Sequence, residues 1–396
     1  VMYSDNRNAL LWEADSIAYV PDDTNVTVST GWDYYIDPSL TYRSGSFMHT
    51  YKGRYMKVNN NAKGTGTDFS NSSDLYYSTY YTQYFRPKYT LTLGLSGTYV
   101  ESKSVLFSGN HFSSNLAGFL QADLKPLKGL NISGGIRLER FTLDDREETK
   151  PVFRLGASYK ILKGLVVRGS YGEAFRFPSM AKAFTTTSLG TTHDFANPDV
   201  RAESGSTNEL GLRQLFSTKR FKGYFDIAYF NMQYDDMIEY TFAQWRNPSD
   251  FPSSFGLGFS PINIKSVSIQ GIELTAIGEY SLGKVGLRFI AGYSYTLPTI
   301  DDPFAVNALN TNGDAVTYAG GSSNLEDNIL KYRYKHLFKL DAQFTYKSMG
   351  FGFSIRQNDF MQNIDLDFEL EVEGVKENRQ RNNSGDFVVD ARFSYQ

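Results

Sequence analysis

Two kinds of connection alternate along the chain, and nothing else in the sequence limits the fold so sharply. Tight Lys/Gly turns recur at Lys125-Pro126-Leu127-Lys128-Gly129, Lys160-Ile161-Leu162-Lys163-Gly164, Lys219-Arg220-Phe221-Lys222-Gly223 and Gly283-Lys284-Val285-Gly286. Longer polar connections rich in Gly, Asn, Ser and Asp lie between them. The segments that join the two kinds read as long antiparallel strands. Short turns at one end and long loops at the other are the wiring of an outer-membrane β-barrel. A soluble sandwich mixes short and long connections at both ends.

The side-chain pattern agrees. In Thr90-Leu91-Thr92-Leu93-Gly94-Leu95-Ser96 every second residue is Leu. Ile132, Ile136 and Leu138 share one face while Arg137 and Glu139 share the other. Phe338, Leu340, Ala342, Phe344 and Tyr346 oppose Lys339, Asp341, Gln343 and Thr345. Alternation of this kind puts apolar rows toward lipid and polar rows toward a wet lumen. A half-buried sheet in water alternates as well, so strand length and number decide. Several strands exceed the usual five or six residues by about twofold. The expected fold is therefore all-β, a large antiparallel transmembrane β-barrel with roughly seventeen strands in this chain.

The expected strands from residue 75 onward are 75–85, 88–102, 111–124, 130–143, 151–160, 164–177, 205–216, 221–240, 266–281, 285–298, 331–346, 350–362 and 386–396. Pairing around Asp37-Pro38 and Ser44-Gly45 is left open. The expected external loops are 59–74, 103–110, 144–150, 178–204, 241–265, 299–330 and 363–385. Loops of such length in a compact protein are functional or mobile.

Composition narrows the function. The hydrophobic fraction is 41%, with no apolar run long enough for a membrane helix. Aromatic residues make up 15%, mostly 28 Tyr and 30 Phe, which suit strands and the girdles where a barrel meets water. A net charge of −3 and the lack of a basic stripe point away from nucleic acid. Cysteine is absent, which excludes disulfides, thiol catalysis and thiolate metal sites. No Ser/His/Asp order, nucleotide loop or paired catalytic carboxylate is recognisable, so a non-enzyme without a cofactor is expected.

Two boxes carry a resemblance. Tyr171-Gly172-Glu173-Ala174-Phe175-Arg176-Phe177-Pro178-Ser179 closes one strand, and Asn197-Pro198-Asp199-Val200-Arg201-Ala202-Glu203-Ser204 precedes the next. They are followed by Glu209-Leu210-Gly211-Leu212. Together they resemble the barrel domain of TonB-dependent outer-membrane receptors, with Val200 where that family usually has Leu. Gln270-Gly271-Ile272-Glu273-Leu274, Leu330-Lys331-Tyr332-Arg333-Tyr334-Lys335-His336 and Gly385-Asp386-Phe387-Val388-Val389-Asp390-Ala391-Arg392 are similar to its later strands. Residues 130–396 carry the likeness most strongly.

The resemblance implies a barrel of roughly twenty-two strands closed by a plug domain. It places residues 1–396 within that one barrel domain, with the plug and the last strand pair outside this chain. It implies a multi-pass protein of the Gram-negative outer membrane that takes up a scarce, large solute. The solute would belong to the siderophore, haem, cobalamin, glycan or peptide class. The expected partners are the TonB energy-transducing complex, reached through the plug, outer-membrane lipids and a surface lipoprotein. A passive porin-like pore, or a structural barrel within a surface assembly, is the alternative.

Phe175, Arg176, Pro178, Asn197, Pro198, Glu203, Glu209 and Gly211 are the motif residues. Arg176 should face away from its flanking phenylalanines, Pro178 should end the ladder, and Glu203 should pair a base or cap freed amides. Arg176, His193 and Trp245 are candidate ligand contacts. His193 lies where the haem-importing branch of the family places a ligating His. From the residue alone, a solvated loop imidazole is the simpler reading. The four His show no metal-binding spacing.

Overall fold

A computed structural model describes residues 2–10, 12–14, 17–21, 27–63, 69–189, 192–252 and 254–395. Its main sheet is an antiparallel meander in which each long strand pairs with the next along the chain. The order runs from Thr27–Ile36 through Phe47–Lys63, Phe69–Arg86, Tyr89–Ser104, Gly109–Leu124, Leu130–Leu143, Arg146–Leu162 and Leu165–Arg176. It continues through Glu203–Ser217, Phe221–Gln244, Leu257–Leu282, Val285–Ile300, His336–Tyr346, Met349–Asn358 and Asp386–Tyr395. Met2–Leu10 adds to Thr27–Ile36. Met2–Leu10 and Asp386–Tyr395 are the edges, and no pairing joins them among the described residues.

The sheet holds 19 strands, but fewer crossings. Thr27–Ile36 and Ser39–Ser44 are halves of one strand, since both pair with Phe47–Lys63. Pro38 lacks an N–H and breaks the ladder, yet its carbonyl still accepts from Gly53 N–H at 2.9 Å. Asp37-Pro38 is thus a kink, and the hairpin turns at Gly45, with φ 58°. Thr187–Leu189 and Thr192–Asp194 form a small hairpin within a loop, joined to the wall by one parallel bridge.

The Lys/Gly turns all lie at one end, and Gly129, Gly164 and Gly283 take φ of 86°, 85° and 61° there. At the other end several expected loops shrink. The expected 144–150 loop is only the Asp144-Asp145 turn, because strand Arg146–Leu162 starts at once. Asp144 makes this possible by adopting φ 49° and accepting Phe112 N–H at 2.9 Å. Most of 59–74 is strand, and residues 64–68 of that expected loop lie outside the described residues. The expected 241–265 loop narrows because Gln244 still pairs with Leu257. Phe221–Gln244 and Leu257–Leu282, with 24 and 26 residues, therefore rise well past a membrane crossing of about ten residues.

Two expectations fail in the other direction. Residues 331–335 are not strand, since Tyr332 takes φ 57° and Leu330-Lys331 turn inward to a buried cluster. The 358–386 connection is not featureless either, and contains helices Leu366–Glu371 and Val375–Arg381.

The two faces of the wall separate cleanly. On Tyr89–Ser104, Leu93 and Leu95 are each 63% exposed, while Thr92 and Ser96 on either side of them are 9% and 8% exposed. The leucines lie between Tyr89 and Tyr99. Ten residues at about 3.3 Å each, tilted by about 40°, rise roughly 25 Å, the height of a barrel's apolar band. The tyrosines belong to two rows that cross strands. Tyr55, Tyr76, Tyr99 and Phe112 follow one another at ring spacings of 4.9, 6.2 and 6.4 Å. Phe47, Tyr84 and Tyr89 follow at 4.8 and 6.2 Å nearer the turns. Such rows are the aromatic girdles of a membrane barrel.

Candidate functional site

The two boxes meet at the loop end of the wall. Arg176 and Glu203 are register partners, and Arg176 Nε reaches Glu203 Oε1 at 2.7 Å. The other carboxylate oxygen of Glu203 accepts Ile238 N–H at 2.8 Å. Glu203 is only 7% exposed, so it both pairs a base and caps a freed amide, as its position suggested. Pro178 is buried where the strand ends. Ser179 then caps helix Met180–Phe184 by accepting Lys182 N–H at 3.3 Å. That helix sets Met180 and Ala183 against Leu143, Val200 and Ile238, which makes a second core outside the sheet.

The Asn197-Pro198 box is held by its own backbone. Asn197 Oδ1 accepts Asp199 N–H at 3.0 Å, and its Nδ2 donates to the Pro261 carbonyl at 2.7 Å. The Pro198 and Val200 carbonyls accept from the Arg146 guanidinium, which also lies over the Phe177 ring. Arg146 thereby joins the two boxes across the loop.

Glu209 and Gly211 belong to the wall instead. Arg168 bonds Glu209 at 2.9 Å and Asp226 at 2.8 and 3.0 Å, and Arg213 bonds Asp226 at 2.7 Å. A Cβ at Gly211 would lie 2.5 Å from Arg168 Cζ, so the glycine is what lets the guanidinium cross to Asp226. This is lumen-side pairing between neighbouring strands.

A further ionic chain, not foreseen from the sequence, runs through the loops. Glu239 pairs with Arg333. Lys331 Nζ meets Asp365 Oδ1 at 2.6 Å, with side-chain exposures of 3% and 0%. Tyr332 O–H donates to Asp365 Oδ2 at 3.0 Å, and Tyr318 O–H accepts Lys331 N–H. Burial holds the Glu239 and Asp365 carboxyls above the usual carboxylate range, against the pull of Arg333 and Lys331. Burial likewise pushes the Tyr318 and Tyr332 hydroxyls up. Burial and the nearby Arg176 push the Lys182 ammonium down. Around this chain pack Ile262, Ile264, Val267, Ile300, Tyr318 and Leu330. Connections 176–203, 244–257, 300–336 and 358–386 thus form a packed cap. The one sequence hint was the pair of charged residues set among aromatics in Leu330-Lys331-Tyr332-Arg333.

His193 and Trp245 both lie in this cap. His193 is half-buried, stacked on Phe195 at 5.7 Å and edge-on to Phe251 at 5.6 Å. Arg246 lies over the other partner, Phe195, at 5.3 Å. Trp245 donates Nε1–H to the Thr241 carbonyl at 3.0 Å, and its ring packs on the apolar cluster. Arg176 is bound to Glu203, so the three residues play three different local parts.

Comparison with known proteins follows the same lines. "Heme/hemopexin utilization protein C" of Haemophilus influenzae is 24% identical over 294 residues, which covers 66% of this chain and 40% of that protein. The solved hemophore receptor HasR of Serratia marcescens superposes with a TM-score of 0.64 at 14% identity, covering all of this chain (100%) and 63% of that one. The siderophore receptor PirA of Pseudomonas aeruginosa gives 0.63 at 12% identity, covering 86% of this chain and 57% of that one. The chain therefore spans less than two thirds of the length of each of these relatives. Residues 2–396 match the family described as "TonB dependent receptor-like, beta-barrel". Taken with the girdled wall and the packed loop cap, this match means that the chain belongs to the TonB-dependent receptor β-barrel family.

Proposed function

We propose that this barrel is the wall and external cap of a receptor that takes up a scarce, large solute across the outer membrane. A plug domain elsewhere in the whole protein would close the lumen. Contact of that plug with the TonB complex would couple uptake to the energised inner membrane. The observation that carries this reading is the cap itself. Four long connections share apolar cores and the ion pairs Arg176–Glu203, Glu239–Arg333 and Lys331–Asp365, which hold binding loops above the lumen in a defined shape. A passive pore needs no such construction.

Haem is the leading solute, because one relative is a heme/hemopexin utilization protein, another is a hemophore receptor solved with heme, and His193 stands in the cap between aromatic rings. A neutral imidazole is a suitable axial ligand for iron. Siderophores follow, and a surface lipoprotein remains a proposed partner. The test is growth of a deletion strain on single sources of haem, ferric siderophore, cobalamin or glycan. Loss on haem alone, reproduced by His193→Ala, supports haem uptake. Loss on another source redirects the ligand class. Uptake that persists after a protonophore favours the porin-like alternative.

A further inference from the structure

The lipid-facing wall is not smooth. Gly53, Ser78 and Gly97 are direct register partners on three neighbouring strands. They lie on the outward face, in step with Tyr51, Tyr80 and Leu95, which are 41%, 48% and 63% exposed. Small side chains in a row leave a trough across the strands. Its loopward wall is Tyr55, Tyr76 and Tyr99, also register partners. Tyr51 leans over Gly53 from the turnward side and with Pro38 closes that end, their atoms 3.0 and 3.2 Å from where a Gly53 Cβ would stand, while Leu116 lines the other end, so the open floor is Ser78 and Gly97. The trough holds about 580 Å³, within the range of small-molecule sites.

The walls are fixed rather than collapsible. Tyr55 and Tyr76 rings sit 4.9 Å apart and Tyr76 and Tyr99 sit 6.2 Å apart. Tyr55 O–H donates to Asp74 Oδ1 at 2.8 Å, which holds the ring upright. At the floor, a Cβ on Gly97 would meet nothing nearer than 3.9 Å. The space above Gly97 is therefore open, and it continues the hydrocarbon-facing band.

We propose that this trough is a binding site for one acyl chain of an outer-leaflet membrane lipid, held more tightly than the lipid around the rest of the wall. The occupant follows from continuity, because everything that adjoins the trough within the band is hydrocarbon. Nearby charge selects no head group, since Lys57 is already neutralised by Asp74 at 3.0 Å. Strands tilted by about 40° set the trough about 50° from the membrane normal. The held chain therefore lies across its neighbours instead of along them, which slows its exchange.

Native mass spectrometry of the whole receptor, extracted from outer membranes in mild detergent, tests the proposal. The wild type retains one lipid through a detergent wash. Gly97→Leu fills the trough and lowers that retention about tenfold, the effect of roughly two methylenes left unburied. Gly169→Leu, on the lipid face away from the trough, changes nothing. Exchange into lipids of one chain length with different head groups leaves retention unchanged. If Gly97→Leu does not fold, Ser78→Leu serves the same purpose. Equal retention by the filled and wild-type proteins overturns the proposal. So does equal loss in the Gly169→Leu control, or retention that tracks head-group charge.

Discussion

Two ionic clusters in this molecule use the same residue types under opposite conditions. In the lumen wall, Arg392 pairs with Asp341 at 2.8 and 3.0 Å, with side chains 47% and 48% exposed. In the cap, Lys331 and Asp365 are 3% and 0% exposed. Water screens the first pair and leaves it with little weight in stability. The second has lost its water, so each charge depends on the other, and removing one partner costs about 3–5 kcal/mol. The wall is held by its ladder and by apolar contact with lipid, and exposed pairs such as Arg392–Asp341 decorate the lumen, whereas Asp226, 7% exposed between Arg168 and Arg213, is the wall's buried exception. The cap has no continuous ladder. Its shape rests on two small cores and on polar groups that satisfy one another.

The largest expected effect is at Asp365. Asp365→Asn leaves Lys331 buried without its counter-charge and should destabilise the cap locally by about 3–5 kcal/mol. Limited proteolysis should then cut 300–336 and 358–386 in a barrel that remains heat-modifiable on gels. Unchanged protease resistance would remove the distinction between the clusters. Replacing both partners, Lys331→Met with Asp365→Leu, should recover most of the loss, because an apolar pair of similar volume needs no compensation.

Glu203→Gln comes next. It weakens the bond to Arg176 and keeps an acceptor for Ile238 N–H, so about 1–3 kcal/mol of cap stability should go. Glu203→Ala, which orphans both, should cost more. Hydrogen exchange at Ile238 and Val200 reads the difference. If the two variants match, the amide cap contributes nothing.

Acidity gives a smaller, graded effect. Glu239 and Asp365 have raised pKa values in the packed cap. The closed cap therefore holds those protons more tightly than opened loops do. Their share of the packing free energy is complete below the ordinary carboxylate range and is lost as pH rises through the raised values. Cap amides, corrected for intrinsic exchange, should be better protected below the ordinary carboxylate range than above the raised values. Better protection at the higher pH would reverse the assigned direction.

The smallest effect belongs to the wall. Arg392→Ala should leave the unfolding midpoint almost where it is in the wild type. A loss as large as that of Asp365→Asn would mean that lumen pairs carry structural weight after all.

The wall was largely legible from sequence because a strand's side-chain period is two and a barrel puts lipid on one side throughout. Strand Leu130–Leu143 falls where the pattern predicts, and its neighbours differ mainly at their ends. Pro178 and Glu203 were readable for a similar reason. Each acts through its own backbone or through the adjacent strand. The ends of strands were less legible, because Asp144 can close a hairpin in two residues only when His111 and Phe112 come to meet its carboxylate.

The amino-acid order by itself determined which residues face lipid, where the tight turns fall and which family the boxes belong to. All of these depend on neighbours along the chain or one strand away. The cap was decided by the tertiary structure alone. Lys331 and Asp365 lie in separate connections and Glu239 on a strand tip, so the Lys331–Asp365 and Glu239–Arg333 pairs form only once the fold has brought these loops and that tip together. Burial then turns ordinary surface charges into mutual obligations, and burial is a property of the folded molecule that no local pattern encodes.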